Sequence, residues 1–593
     1  MTSNAALDHS RLDEIVNLIK NELSKPFIRS LNNRAVQAKI FQIPEICSYM
    51  EELRREEQAT RQNLFSKMSV LIYKFQENSM DATLARAGIL SDERVHAGSS
   101  LDDGAENGFD LLCLDAKERL YMILKEYDWI KDFFLYYPQH FYENSFQFVD
   151  RIPEKKLPVK VKVVGLGIGG SLAVSGLRKN GIKAVVGYEK RARHGPRSVT
   201  SRFQNASWRA YDIAEKLLDE EAFQHMEEYQ QKINVNYDNG TSKVMTADRV
   251  QIILGDAIDR ALESAERYGA DLRFDCDTKQ FCKTETSSNE NIGDDVDIVA
   301  IFAGARSGQI VPGLEEEMDM HAWKDLSSDC RLWLEIKMSE KKSAYTARNV
   351  EVGAEKWHFT IESCRNTNDD IVRIRDNLIS KRIWDLKKLE DAGASDEEKA
   401  QEEERYIAQM SKIEQLLGDA EERKEDGEEQ RFDYIFSNAP ANEHNLAKKD
   451  AAMERGNMVI DGSYSVDVQI ASNSMIDSSS RESAKKMLDN FSSKVLVFGG
   501  DACVNPNPMA AYGATLACEF AAMVVHLSVA HGHINAIVNA MKNVKQADPE
   551  WIIALEELRG LFNQYYDSRG RSENYFQWMQ TLICNLYSLP PQV

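Results

Sequence analysis

The feature of this sequence that most restricts its fold is an apolar strand that runs directly into a glycine-rich turn and a helix. It begins at Val161 and reads VKVVGLGIGGSL, with three glycines at the spacing G-x-G-x-x-G. In such a turn the first glycine permits the bend, the second lets the backbone approach a pyrophosphate, and the third allows close packing of helix and strand. The following helix N-terminus favours phosphate. The candidate cofactor contacts here are Gly165, Gly167, Gly169, Gly170 and Ser171.

A second apolar strand, 183–188, follows the helix and ends at Glu189. An acidic residue about 20 positions after the glycines, at the end of the second strand, accepts hydrogen bonds from an adenosine ribose. Strand, glycines, helix, strand and acid therefore occur in the order of a dinucleotide site. A glycine-rich turn without a ligand does not explain the position of Glu189.

The composition is that of a globular chain, with 43% hydrophobic residues and a formal net charge of -22. This charge argues against a nucleic-acid partner, because phosphate backbones require neutralising cations. Nine cysteines without a C-x-x-C pair predict neither zinc nor a disulfide framework. We find no signal-peptide pattern and no run of roughly 18 apolar residues, so we expect no membrane span and a cytoplasmic location.

A further strand with a terminal Gly-Asp occurs far downstream, at 494–503, and a long apolar helix starts at Gly513. This segment resembles the second FAD fingerprint of the class A flavoprotein monooxygenases, the fold of the aromatic hydroxylases. The resemblance implies FAD as cofactor, with Asp501 on a ribityl hydroxyl and the amides near Gly513 facing the pyrimidine end of the flavin. Pro508 and Ala514 belong to the same implied site, although the run between Val504 and Gly513 departs from the usual sequence of the family.

The stretch 297–307 is similar to the middle motif of that family, a strand followed by Asp-Gly-x-x-Ser, with Ala303 in place of the aspartate. In the family this motif touches both FAD and the nicotinamide cofactor, so the substitution weakens the inference of NAD(P)H more than that of FAD. By the same resemblance, Arg249 lies near the flavin chain at the start of a helical run. Lys190 and Arg191, directly after Glu189, belong to the same implied site. Arg191, Arg193 and Arg202 lie in a region that contributes a phosphate or flavin contact in the family, and Arg202 is favoured over Arg193.

The remaining sequence predicts several regions around these motifs. Helical periodicity predicts an all-α N-terminal region at 1–155, with an aromatic-rich core segment near its end, and the FAD-binding domain occupies 156–310 and 471–530. Alternating segments at 311–470 predict an antiparallel-sheet substrate domain, from which a charged helical hairpin at 366–431 projects. Helices close the chain at 531–593. The predicted fold is therefore α/β, with a Rossmann-type FAD-binding domain.

Within the class, the sequence resembles the monooxygenase domain of the MICAL proteins, which oxidise methionines of actin. The fragments that carry this likeness are Glu189-Lys190-Arg191, Gln469 to Asn473 and Gly500-Asp501-Ala502 followed by Asn505-Pro506. The family implies an enzyme that uses NAD(P)H and dioxygen to oxygenate an organic substrate, small molecule or protein, through a flavin hydroperoxide. No triad or ligand spacing of histidines is visible, so the catalytic side chains are unknown from the sequence and no metal is predicted.

The sequence allows four other functions to be weighed. A flavin-dependent oxidoreductase without oxygenation uses the same cofactor site, whereas a halogenase lacks support because no Trp-x-Trp motif is present. An NAD-dependent dehydrogenase leaves the Gly500-Asp501 segment unexplained. An interaction or regulatory protein on a flavoprotein fold is the alternative of a different class, with the hairpin as a docking surface for a protein partner.

Overall fold

We analysed a computed structural model of the 593-residue chain. With shorter gaps inside some ranges, it describes residues 9–29, 36, 39–86, 112–123, 157–193, 203–224, 249–276, 296–307, 318–338, 347–350, 358–363, 375–425, 432–440, 458–471, 474–477, 482–506, 513–544 and 549–588.

The described residues form helices and strands that alternate through the middle of the chain. The helices are α1 (His9–Leu23), α2 (Pro26–Arg29), α3 (Pro44–Arg86), α4 (Ile168–Lys179), α5 (Trp208–Leu217), α6 (Leu254–Arg267), α7 (Asp396–Glu425), α8 (Glu482–Phe491), α9 (Gly513–Lys542) and α10 (Pro549–Ser588). The strands are β1 (Leu157–Val164), β2 (Ile182–Tyr188), β3 (Phe203–Ser207), β4 (Arg249–Ile253), β5 (Asp271–Arg273), β6 (Val296–Ile301), β7 (Met320–Met338), β8 (Ala347–Val350), β9 (His358–Ser363), β10 (Phe432–Pro440), β11 (Met458–Ala471), β12 (Met475–Asp477), β13 (Ser493–Phe498) and β14 (Val504–Asn505).

A six-stranded, mostly parallel sheet lies at the centre of the largest core cluster. Its order is β12-β13-β6-β1-β2-β5, and only the edge strand β12 is antiparallel to its neighbour. Helix α9 packs against β1 and α4, and α4 packs against α6. Val161, Val163 and Leu172 are buried between these layers. The predicted glycine-turn βαβ unit is therefore the centre of a mixed α/β fold.

A second six-stranded sheet, of order β14-β11-β7-β10-β9-β8, is antiparallel throughout. The segments at 330–336, 355–361 and 458–470, which the alternation pattern predicts as strands, lie in or overlap β7, β9 and β11. β7 has 19 residues, far more than the sequence predicts. Strand β14 follows the Gly-Asp segment and pairs with β11, so the two sheets meet near Asp501.

The charged segment between β9 and β10, which the sequence predicts to be a helical hairpin, contains α7 and, before it, described helical residues that include Arg382. Gly393 adopts a φ of 69° in the turn that precedes α7. Arg382 Nε donates to Glu403 Oε2 at 2.8 Å across the two arms. β9 and β10 are hydrogen-bonded neighbours, with Ser363 opposite Phe432. The hairpin is therefore an insertion between two adjacent strands.

The helical N-terminal region packs against the C-terminal end of the chain. α1 and the start of α3 share a core cluster with one apolar face of α10, which includes Phe576, Trp578 and Leu582. The predicted C-terminal helices are one continuous helix of 40 residues. Of the aromatic residues predicted to form a core near 121–137, only Tyr121 is described, and its 44% exposure contradicts that prediction for this residue.

Residues 249–253 form a strand, which corrects the prediction of a helical run that begins at Arg249. β4 pairs with β3 along its whole length, and α6 begins only at Leu254. The β-branched residues Val250, Ile252 and Ile253 favour the extended backbone.

Helix α9 is long and apolar enough to cross a membrane by length and composition, which corrects the statement that no such run exists. Its most apolar window has a mean hydropathy of 1.5 and is 94% buried against the rest of the chain. The packing of α9 on β1 and α4 accounts for its composition.

Candidate cofactor site

The carboxyl ends of four parallel strands form one edge of the sheet. Val164 of β1 lies opposite Tyr188 of β2 and Ile301 of β6, and Phe498 of β13 also lies opposite Ile301. Each strand is followed by one of the segments that the sequence singles out. In open α/β sheets, ligands bind outside the carboxyl ends of the strands. The register therefore brings the two fingerprints and the middle motif to one place.

Backbone hydrogen bonds continue the ladder one residue beyond the strands. Gly165 N donates to Tyr188 O at 2.8 Å, and Phe302 N donates to Val164 O at 2.7 Å. Gly499 N donates to Ile301 O at 3.0 Å. These bonds fix the start of each turn relative to its neighbour.

The glycine turn has the shape of a phosphate-binding loop. Gly165 adopts a φ of 90°, which few other residues tolerate. A Cβ atom at Gly170 would overlap the carbonyl oxygen of Gly165, whereas one at Gly167 would meet nothing within 4 Å. The turn is therefore packed tightly on its inner side and open over Gly167, where a pyrophosphate would approach.

Among the described residues, no side chain at the N-terminus of α4 competes with a bound phosphate. Its N-cap residue is Gly167, no side chain caps the helix, and the first turn contains no acidic residue. The first N–H groups of a helix have no acceptor within the helix. The helix dipole and these donors favour an anion in front of Gly167.

Glu189 lies beside the glycine turn, as the dinucleotide fingerprint requires. Its Oε2 accepts a hydrogen bond from Leu166 N at 2.9 Å, and its Oε1 accepts one from Arg191 N at 3.2 Å. Two backbone donors thus hold the carboxylate at the end of β2. Each oxygen retains a lone pair that could accept a ribose hydroxyl.

Asp501 lies in a short turn at the end of β13, where the chain reverses next to the start of α9. Gly500 adopts a φ of 59°, and the residues around Asp501, including Ala502 and Cys503, are buried. The side chain of Asp501 is itself accessible to solvent. The protein atoms around it disfavour the charged form and raise the pKa of the carboxyl to about 6. A solvent-accessible carboxyl enclosed by protein is the expected environment for a group that faces a ligand.

The start of α9 adjoins Asp501. A Cβ atom at Gly513 would lie 3.6 Å from Asp501 Oδ1 and 3.7 Å from Pro506 Cγ. Ala514 follows and is buried. Gly513 thus faces the carboxyl that the resemblance assigns to the ribityl chain.

The other predicted site residues divide into those that the structure describes and those that it does not. Ser171 is fully buried, and its hydroxyl donates to Ile168 O at 3.2 Å, so its side chain serves the helix. The side chains of Lys190 and Arg191 are exposed beyond Glu189. Arg202 and Pro508 lie outside the described residues, and only the backbone of Arg249 is described, in β4. Their roles stay predictions.

Sequence reasoning missed the polar contacts that α10 makes with β12 and with the turn after β13. The Asp567 carboxyl accepts hydrogen bonds from the backbone N–H groups of Ser474 and Met475, and surrounding protein raises its pKa to about 6. Asn574 lies beside Cys503 and lowers the pKa of this thiol, which burial raises above its ordinary value. In the sequence, these contacts are indicated only by the seven-residue spacing of Asp567 and Asn574, which places two polar residues on one face of a buried helix.

Among the described residues, no group of three or more His, Cys, Asp or Glu side chains is arranged to hold a metal ion.

Comparison with known proteins gives similar structures but no sequence relatives. No family model and no curated protein matches the chain. Three similar structures are CtdE in complex with FAD, CmlS, a flavin-dependent halogenase, and aklavinone-11 hydroxylase with FAD and aklavinone. CtdE has 10% identity and a TM-score of 0.36, and the match covers 69% of this chain and 99% of that protein.

The other two matches are of the same kind. CmlS has 11% identity and a TM-score of 0.33, and the match covers 72% of this chain and 68% of the CmlS chain. The hydroxylase has 9% identity and a TM-score of 0.34, and covers 63% of each chain. The chain is thus similar to FAD-dependent monooxygenases and halogenases, at TM-scores below 0.5.

Proposed function

We propose that this chain is an FAD-dependent oxidoreductase, and more specifically a monooxygenase that uses NAD(P)H and dioxygen to oxygenate an organic substrate. The observation that carries the proposal is the convergence of Gly165–Gly170, Glu189 and Gly499–Asp501 on one edge of the parallel sheet. NAD alone would need only the first two of these segments. A ligand that extends to Asp501 and Gly513 needs all three.

The residues present fit FAD at both ends. The open space over Gly167 and the uncapped N-terminus of α4 would accept the pyrophosphate. Glu189 would hold the adenosine ribose, while Asp501 would accept a hydrogen bond from the ribityl chain. Bound FAD would supply the electron transfer and the reaction with dioxygen.

The chain itself would bind, orient and shield the cofactor. The tight packing around Gly165 and Gly170 fixes the pyrophosphate end, and the turn at Gly500 fixes the other. The pairing of β14 with β11 places the antiparallel sheet next to Asp501, where an organic substrate would be held. Fixed polar groups in such an enclosed site orient reactants at little reorganisation cost.

Reduction and reoxidation of bound flavin test this function. Purified protein loaded with FAD should lose its visible flavin absorbance under NADPH or NADH without oxygen. It should regain that absorbance in air, with oxygen inserted into an added substrate. Reoxidation without oxygen insertion across a panel of aromatic and methionine-containing substrates would favour an oxidoreductase that does not oxygenate.

A regulatory or interaction protein on a flavoprotein fold is the second candidate. One observation favours it: Ala303 stands in the middle motif where an aspartate is expected, although Gly304 keeps a φ of 75°. The chain would then bind FAD but show no bleaching by NADPH or NADH. The same anaerobic titration distinguishes the two candidates. The cytoplasmic location, a protein substrate and a partner at the hairpin stay predictions.

A further inference from the structure

The side chain of Phe302, at the end of β6, lies between the two glycine turns. A Cβ atom at Gly169 would lie 2.7 Å from Phe302 Cδ1 and 2.9 Å from Cε1. A Cβ atom at Gly499 would overlap Phe302 Cε1 and lie 2.7 Å from Cζ. The ring therefore packs directly against the backbone of both turns.

The first turn also packs against the backbone and the Cβ atom of Phe302. A Cβ atom at Gly165 would lie 2.6 Å from the backbone oxygen of Phe302, and one at Gly170 would lie 3.4 Å from Phe302 Cβ. Phe302 N donates to Val164 O at 2.7 Å, immediately before the turn. Phe302 is only 8% exposed. A large, nearly buried ring between two loops that lack side chains acts as a rigid spacer, because protein interiors are close-packed.

We propose that Phe302 is a positioning residue that sets the distance between the pyrophosphate end and the flavin end of the cofactor site. The inference rests on the proposed function, since it assumes that one FAD molecule spans both turns. Without the ring, each turn keeps its own backbone hydrogen bonds, but the gap between them is no longer fixed. The first turn then still binds phosphate, whereas a ligand that must reach both turns loses affinity.

Replacement of Phe302 by Leu tests this spacer directly, through binding of FAD and of ADP. ADP contacts only the first turn, and FAD contacts both. We expect Phe302→Leu to weaken FAD binding about tenfold or more and to change ADP binding by less than about twofold. An equal loss of affinity for FAD and for ADP, or an unchanged affinity for FAD, would overturn the spacer role.

A rescue variant makes the test independent of general destabilisation. Gly499→Ala should weaken FAD binding, because the new methyl group meets Phe302 Cε1 and Cζ. Leucine has no atoms at those positions, so Gly499→Ala combined with Phe302→Leu should bind FAD more tightly than Gly499→Ala alone. Such a gain from two individually harmful changes is expected only for groups in contact.

Phe520 provides the matched control. The Cβ atom of Phe520 lies 3.0 Å from the position that a Cβ atom at Gly499 would occupy. Leucine at position 520 has the same Cβ atom, so this contact would remain. Phe520→Leu should therefore give no rescue of Gly499→Ala. Rescue by Phe520→Leu, or absence of rescue by Phe302→Leu, would contradict the inference.

Binding of FAD and ADP to the wild-type chain distinguishes a failure of the proposed function from a failure of the spacer role alone. A wild-type chain that binds ADP but no FAD would contradict the proposed function and remove the basis of the spacer role. A wild-type chain that binds FAD, with no selective effect of Phe302→Leu, would overturn the spacer role alone. Thermal unfolding of the ligand-free variants, measured in parallel, verifies that each variant is folded when its binding is recorded.

Discussion

At the scale of single residues, the carboxylate of Glu189 should determine how tightly the adenosine end is held. Glu189→Gln keeps an acceptor oxygen but removes the charge. A hydrogen bond to a charged group is more stabilising than one between neutral groups by about 1 kcal/mol. We expect FAD affinity to fall about fivefold, measured by fluorescence titration. Glu220→Gln, an exposed carboxyl elsewhere on the surface, is the control and should have no effect. Equal affinities for wild type and Glu189→Gln would contradict the assigned role.

Asp501 should make FAD binding depend on pH. Its pKa is raised to about 6, so the carboxyl is protonated below this pH and ionised above it. The ionised form is the better acceptor for a ribityl hydroxyl, and FAD affinity should therefore rise with pH through about 6. Titrations at pH 5 to 8 should show an inflection that Asp501→Asn removes.

Asp567 is the control for this pH dependence, because its pKa is also raised to about 6. Its carboxyl accepts hydrogen bonds from the backbone of Ser474 and Met475 rather than from a ligand, so Asp567→Asn should keep the inflection. The folded-state pKa of Asp567 lies above its ordinary value, so its ionisation opposes folding as pH rises from about 4 to about 6. An inflection lost only in Asp567→Asn would reassign the titrating group.

The site residues that could be predicted from the sequence are those whose role depends only on neighbouring parts of the chain. Gly165, Gly170 and Glu189 follow from backbone sterics and strand order within one βαβ unit. The role of Phe302 depends on two turns that are far apart in the chain, and the carboxyl of Asp567 on a distant helix. No local pattern contains such contacts, so the sequence could not reveal them.

At the scale of elements, the helical hairpin should be dispensable for cofactor binding. Ser363 and Phe432, at the ends of β9 and β10, are opposite one another in the ladder. A short turn can therefore replace residues 366–429 without moving either strand. We expect this deletion variant to bind FAD within about twofold of wild type, since the site lies in the other sheet.

The Arg382–Glu403 pair is the matched internal control for the hairpin. Arg382→Ala breaks the ion pair between the arms but keeps the insertion, and exposed pairs contribute about 1 kcal/mol or less. It should leave FAD binding unchanged. Loss of flavin on deletion of the hairpin, but not in Arg382→Ala, would make the insertion part of the core.

The alternation of apolar residues correctly predicted the strands of the antiparallel sheet but not their lengths. β7 extends over 19 residues because β11 pairs with residues 320–336 of it and β10 pairs with residues 330–338, so the two partners overlap along only part of its length. The prediction of a helix at 250–253 was wrong, because a short apolar run fits both the periodicity of a helix and that of a buried strand. Pairing with β3 decides its conformation.

At the scale of the whole molecule, the N-terminal helices are joined to the C-terminal helix by a buried ion pair. Arg569 Nη1 lies 3.0 Å from Glu57 Oε1, and the two side chains are 2% and 8% exposed. Burial raises the pKa of Glu57 above its ordinary value, while Arg569 opposes this shift. Tyr565 also donates to Glu57, at 3.4 Å. The N-terminal region is therefore part of the core.

Removal of one partner of this pair should be strongly destabilising. Arg569→Met leaves a buried carboxylate without its cation, which costs about 3–5 kcal/mol of unfolding free energy. The double variant Arg569→Met with Glu57→Gln should recover part of this loss in a denaturant titration. Lys67→Met, which disrupts a more exposed pair with Glu557 between the same two helices, is the control and should cost about 1 kcal/mol or less. Equal losses for Arg569→Met and Lys67→Met would contradict the coupling.

The absorption spectrum of the protein after incubation with FAD and gel filtration tests most directly whether the glycine turn binds the pyrophosphate of FAD. Wild type should retain FAD at about one molecule per chain. Gly170→Ala should retain none, because its methyl group would overlap the Gly165 carbonyl oxygen. Gly255→Ala, where a methyl group meets nothing within 4 Å, should bind like wild type. A colourless wild-type protein, or equal flavin content in Gly170→Ala, would contradict this binding role of the turn.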